Sequence, residues 1–144
     1  MSKSLLHRGP DQSGFYLDKN IALCRIDVKY SKLDTEIHGV PIVREPDGLA
    51  ISSRNNLLNP DQRLVASELS LILKNTAQQI HTRNLEYLKV EAIKKLEELD
   101  FDVDYFSFCN SNTLEEIDEF EPNTLLAVAV NLGGGRLIDN FLIK

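Results

Sequence analysis

Apolar residues recur at three- and four-residue spacing between residues 60 and 100, and after residue 102 they alternate or run on continuously. The first period belongs to helices and the second to strands. Asn59 can cap a helix, Pro60 suits its first position, and Asp61 places a negative charge where the macrodipole favours one. Val65, Leu69, Ile72, Leu73, Ala77 and Ile80 then share one face, which predicts a helix to about Ile80. His81 to Arg83 form a short polar link. Asn84 is a second cap, followed by Leu85, Leu88, Ala92, Ile93, Leu96 and Leu99 on one face, with Lys94, Lys95, Glu97 and Glu98 largely on the other. Two helices joined so closely should lie side by side and antiparallel.

After Asp100 the period changes. Val103, Tyr105 and Phe106 to Phe108 predict one strand, Asn110 to Thr113 a turn, Leu125 to Leu132 a fully apolar second strand, and Arg136 to Ile143 a third. Gly133-Gly134-Gly135 joins the last two. A phosphate-cradling loop would need a helix after its last glycine, and a strand follows here, so the three glycines read as a hairpin corner with positive φ. The expected fold class is α+β: two antiparallel helices on a small, mainly antiparallel three-stranded sheet.

Upstream of the first helix, Glu36 to Val43 (EIHGVPIV) is rich in β-branched residues, and its Pro41 suits a sheet edge or a strand end. Arg44 to Gly48 (REPDG) reads as a tight turn. Residues 1–35 have another texture: turn chemistry at Arg8-Gly9-Pro10-Asp11, then Phe15 to Leu17 and Ile21 to Cys24 around an Asp18-Lys19-Asn20 turn. The chain thus divides into an irregular arm or hairpin at 1–35 and a domain at 36–144.

Composition removes several classes. A formal net charge of −6 argues against a nucleic-acid surface, which needs clustered Lys and Arg. No apolar run approaches the ~20 residues of a membrane span, so the expectation is a soluble, cytoplasmic protein without membrane partners. Cys24 and Cys109 lack metal-ligand spacing and read as reduced thiols; no metal ligand set is apparent. His7, His38 and His81 are isolated. The acidic run from Glu115 to Glu121 lacks the layout of a calcium loop and reads as solvated.

The stretch Gly48-Leu49-Ala50-Ile51-Ser52-Ser53-Arg54-Asn55 (GLAISSRN) remains as candidate chemistry. Two hydroxyls can donate to phosphate oxygens, and Arg54 offers a permanently charged bidentate fork. Gly48 would let backbone approach a ligand closely. On spacing alone the stretch stays open between a plain polar turn and a phosphate site.

The longer segment Val40-Pro41-Ile42-Val43-Arg44-Glu45-Pro46-Asp47-Gly48-Leu49-Ala50-Ile51-Ser52-Ser53-Arg54-Asn55 resembles the signature V-P-T-V-R-E-x-D-G-L-A-M-S-S-R-N of pantothenate synthetases, the pantoate-β-alanine ligases. Arg136-Leu137-Ile138-Asp139-Asn140 is similar to the R-L-I-D-N ending of that family. The resemblance covers residues 36 to 144 and concerns only the family's C-terminal domain. It implies an ATP-dependent ligase that forms a pantoyl adenylate, releases pyrophosphate, and passes the pantoyl group to β-alanine. The C-terminal domain acts there as a lid, its M-S-S-R loop the counterpart of the K-M-S-K-S loop of class I aminoacyl-tRNA synthetases.

Carried over, the resemblance gives Ser52 and Ser53 to the ATP phosphates and Arg54 to the charge developing on pyrophosphate. Ile51 stands where the family has Met, a change that conserves volume, and the Val43 backbone would meet the adenine. ATP is the implied ligand, with magnesium as its counter-ion, held by no residue of this chain. The family's N-terminal nucleotide-binding domain is the implied partner, and without it the chain should be inactive. The rival expectation is a non-catalytic interaction module that reuses the lid fold, with an uncovered apolar face that would favour a homodimer. A shorter echo lies at residues 5–25, where Leu6-His7-Arg8-Gly9-Pro10-Asp11 and Gly14 resemble class II glutamine amidotransferases. That chemistry needs an N-terminal cysteine, and the chain begins Met1-Ser2, so no amidotransferase activity is expected.

Overall fold

The computed structural model describes residues 41–144. The arm at 1–35, its hairpin and the amidotransferase-like stretch lie outside the described residues, as do residues 36–40 of the extended segment. Pro41 to Val43 form no strand.

Helix α1 spans Pro60–Gln79 and starts where the sequence placed it. The Asn59 side chain accepts from the Gln62 N–H at 2.9 Å, and Gln62 Oε1 accepts from the Asn59 N–H at 3.0 Å. This reciprocal box satisfies two donors that a helix start leaves orphaned. Helix α2 spans Leu85–Glu97, with Asn84 Oδ1 accepting from the N–H groups of Glu86 and Tyr87. It ends two residues earlier than the apolar period suggests. Asp100 turns left-handed at φ 62°, and the Phe101 N–H bonds back to the Leu96 carbonyl, so Leu99 belongs to the closing turn.

Strands β1 (Asp102–Asn110), β2 (Thr124–Leu132) and β3 (Gly135–Ile143) form one antiparallel sheet in the order β1-β2-β3. Val103 pairs with Val130 but Tyr105 pairs with Ala129, so Asp104 is an extra residue. That bulge reconciles an inward Val103 with inward Phe106 and Phe108, which strict alternation would separate. Gly133 and Gly134 take φ 56° and 82° at the β2-β3 corner, the paired positive values of a two-residue hairpin turn.

Helix α1 packs over β3 and β2, and α2 over β1. Between the layers lie Leu69, Leu73, Leu88, Leu96, Phe106, Leu126, Val128 and Val130. The fold is therefore the α+β arrangement of two helices on a three-stranded antiparallel sheet. The acidic run departs from a simple solvated loop. Glu116 forms an isolated bridge with Cys109, the Ile117 N–H bonds to the Phe108 carbonyl, and Glu121 accepts from the Asn110 side chain, so the run is fastened along β1.

Candidate functional site

In front of α1 the chain makes a miniature hairpin. The Ile51 N–H bonds to the Val43 carbonyl at 3.0 Å, Arg44 bridges Ala50, and the Glu45 N–H bonds to the Leu49 carbonyl at 2.8 Å. A turn bond from the Gly48 N–H to the Glu45 carbonyl closes the tip, as the REPDG composition predicts. Asp47 Oδ1 accepts from the Leu49 N–H, and Leu49 is buried in the core at 3% exposure. Gly48 has φ 93°, and a Cβ there would sit 3.4 Å from Ser70 Oγ on α1. The expectation that Gly48 admits a ligand is thus corrected: it serves the turn and faces a helix.

The hairpin leads into a one-turn 3-10 helix, Ser53–Leu57. Ser52 caps it, its Oγ accepting from the Arg54 N–H at 3.2 Å. Asn55 Nδ2 donates to the Ala50 carbonyl at 3.0 Å, which ties this turn back to the hairpin. Gly135 of β3 sits beneath it, where a Cβ would lie 3.5 Å from Leu58 and 3.8 Å from the Arg54 carbonyl.

Val43, Ile51, Ser52, Ser53 and Arg54 consequently share one rim. Val43 and Ile51 are joined through the backbone and are 59% and 57% exposed. Ser52 and Ser53 are exposed. The Arg54 guanidinium has no hydrogen bond or ion pair among the described residues. Three polar side chains in one segment are thereby presented outward, one of them a cation, which is a surface suited to an anion. The rim is open. A concavity of about 290 Å³, lined by Asn84, Glu86, Lys89, Phe108, Glu116 and Asp118 among others, lies at the opposite end of the fold, by the start of α2.

Two residues behind the rim, one from each of the resembling motifs, form a pair that the sequence does not announce. Arg44 donates from Nη1 to Asp139 Oδ2 at 2.7 Å and from Nη2 to Oδ1 at 2.9 Å. Nη1 also reaches the Gly48 carbonyl at 2.9 Å and Ser70 Oγ at 3.1 Å. Asp139 is 2% exposed on the helix side of β3. A carboxylate inside the apolar run RLIDNFLI was the available signal, because a buried charge requires a partner. At the tip of the hairpin, Asp47 Oδ2 accepts from Arg63 Nη1 at 2.6 Å. That hydrogen bond holds the Asp47 carboxyl below its ordinary pKa and raises that of Arg63. Among the described residues no group of three or more His, Cys, Asp or Glu is placed to hold a metal ion. No described helix is long and apolar enough to cross a membrane.

The family model described as pantoate-beta-alanine ligase matches residues 19–142. It begins inside the arm assigned to residues 1–35. Pantothenate synthetase of Thermotoga petrophila is 39% identical over 120 residues, covering 81% of this chain and 42% of that protein. The pantothenate synthetase of Anaeromyxobacter dehalogenans is 40% identical over 124 residues, covering 85% and 43%. Among solved structures, pantothenate synthetase from Thermus thermophilus superposes with a TM-score of 0.79 at 28% identity, over 88% of this chain and 46% of that one. Pantoate-beta-alanine ligase from Francisella tularensis, complexed with beta-gamma ATP and beta-alanine, matches with a TM-score of 0.58 at 27% identity, over 86% and 40%. The chain spans less than half the length of these relatives. With the two motifs that resembled the family now joined by the Arg44 to Asp139 contact, and with the match running over most of its length, the chain belongs to the pantoate-beta-alanine ligase family.

Proposed function

We propose that this chain supplies the nucleotide-phosphate lid of an ATP-dependent ligase that condenses pantoate with β-alanine. In the first step a pantoate carboxylate oxygen bonds to the α-phosphorus of ATP, and the bond to the pyrophosphate oxygen breaks. In the second, the β-alanine amine attacks the pantoyl carbonyl, loses a proton, and AMP leaves with the bonding electrons. The groups that hold pantoate and β-alanine belong to the N-terminal part of such enzymes, so the chain by itself has negligible turnover.

The observation that carries this reading is the Arg54 guanidinium, unengaged among the described residues, beside the exposed Ser52 and Ser53. As pyrophosphate departs, negative charge grows on its oxygens. A cation standing beside those oxygens offsets the growing charge and lowers the barrier. The two serine hydroxyls donate to the same oxygens. Val43 and Ile51, joined by the bond from the Ile51 N–H to the Val43 carbonyl, flank the nucleotide, and the Val43 backbone meets the adenine. Magnesium accompanies the nucleotide as its counter-ion.

One further observation favours docking of this rim on another protein surface. Leu57, in the same 3-10 helix as Arg54, is 63% exposed, and with Val43 and Ile51 it leaves apolar side chains uncovered in the segment that carries the polar loop. The rival reading, a self-associating module without catalysis, uses the same surface. Pantothenate formation by the chain alone and with a separately supplied N-terminal half of a relative separates them. Activity restored only in the mixture supports the lid, and Arg54→Ala should then remove it by about 10²- to 10³-fold. Inactivity in both, with a concentration-dependent dimer in sedimentation, supports the module.

A further inference from the structure

Arg44 stands in the hairpin opposite Ala50, which lies two residues before Ser52. Its guanidinium is fixed from three directions: the turn carbonyl of Gly48, Ser70 of α1, and both oxygens of Asp139 on β3. The carboxylate is equally committed, since Oδ1 also accepts from the Asn140 N–H at 2.7 Å. Among the described residues, the Arg44 to Ala50 bridge alone gives the hairpin sheet-like pairing, and neither of its arms pairs with β1, β2 or β3.

We infer that the Arg44 to Asp139 pair is a positioning device, which sets the angle at which the hairpin leaves the sheet and so fixes where Ser52, Ser53 and Arg54 stand. The inference rests on the phosphate reading of that rim. Replacing a buried ion pair by apolar groups is often neutral for stability, so stability alone does not explain this one. A planar fork on a buried carboxylate fixes direction as well as distance, which a greasy contact does not. The strand that carries Asp139 also carries Gly135, which lies in contact range of Leu58 and the Arg54 carbonyl. β3 thus supports the segment at both ends. Arg44 and Asp139 touch no nucleotide; they act through the rim.

The test uses the full chain and two variants, the double replacement Arg44→Met with Asp139→Val and the single Arg44→Lys. Amide exchange is read at Ile51, Arg54 and Asn55, whose N–H groups are bonded within the segment, against the amides of β2. ATP binding is read by titration of the same spectra. In the double variant, exchange at the three amides should rise about tenfold or more while β2 stays protected, and ATP should bind about tenfold more weakly. Arg44→Lys keeps the charge without the fork and should show the same effects in smaller measure. It decides the matter if the double variant fails to fold. Unchanged exchange at the three amides in a folded variant overturns the inference, as does a rise that β2 shares equally. If the unmodified chain binds no ATP even with the N-terminal half of a relative supplied, the phosphate reading fails, while the exchange comparison still decides whether the pair positions the segment.

Discussion

Within the two-layer body, β2 is buried along both faces, and the polar groups that enter it arrive with partners: Thr124 Oγ1 donates to the Glu121 carbonyl at 2.7 Å. In the segment from Val43 to Leu58 the only buried residue is Leu49. That segment keeps Ser53 and Arg54 uncommitted among the described residues and sets exposed Val43, Ile51 and Leu57 around them. One region satisfies its groups within itself, while the other leaves polar and apolar side chains unengaged among the described residues. The joins between the two are few: Leu49 and Leu58 in the core, the packing of Gly135 on Leu58, and the side-chain links of Arg44 and Asp47.

Damage confined to each region in turn puts the largest demand on that separation. Phe106 is 1% exposed and meets Phe108 edge to face at a centroid distance of 5.9 Å. Phe106→Ala should cost about 3–5 kcal/mol in urea unfolding, because transfer and cavity terms add. Arg54→Ala should move stability by less than about 0.5 kcal/mol, as surface changes do, yet remove the restored ligase activity. A large stability loss in Arg54→Ala would show that its guanidinium is engaged, and the two regions would not be distinct.

The turn between β2 and β3 lies where the regions meet, and it tests the boundary on a smaller scale. A Cβ on Gly133 would collide with the end of the Gln62 side chain, whose oxygen closes the cap of α1; at Gly134 there is open space. Both glycines have positive φ, so either alanine carries backbone strain of about 1–2 kcal/mol. Gly133→Ala should cost roughly 1 kcal/mol more than Gly134→Ala, from loss of the cap. Equal costs in thermal unfolding would mean that Gln62 moves aside freely.

How much of this was readable depends on range. The start of α1 was legible because Asn59, Pro60 and Asp61 act within one turn, and the glycine corner because its φ values are a local demand. The Asp104 bulge was not, since the strand's own letters carry no record of its partner. The rim residues were named through resemblance, their polarity alone leaving a turn and a phosphate site equally open. Arg44 and Asp139, 95 residues apart, were legible as members of the two motifs but not as a pair, because only the fold brings them together. Asp139 offered the better clue, because an acid facing into an apolar strand must be answered from elsewhere.

The Asp47 to Arg63 contact is the weakest link between body and segment, and pH isolates it. Its side chains are 41% and 30% exposed, so solvent screens the pair and its worth is at most about 1 kcal/mol. Folding lowers the Asp47 pKa, chiefly through the Arg63 hydrogen bond. The folded chain therefore holds this proton less readily than the unfolded chain, and stability from the pair is fully present above the ordinary carboxylate pKa near 4. It is lost as pH falls below that value through the depressed one. Asp47→Asn keeps the acceptor for the Leu49 N–H and removes only the charge. The variant should be slightly less stable than the unmodified chain at pH 7 in low salt, and the gap should close below about pH 4 and again near 1 M salt. A gap that survives both conditions would assign Asp47 to the turn geometry, leaving Leu49, Leu58 and Arg44 to hold the rim against the body.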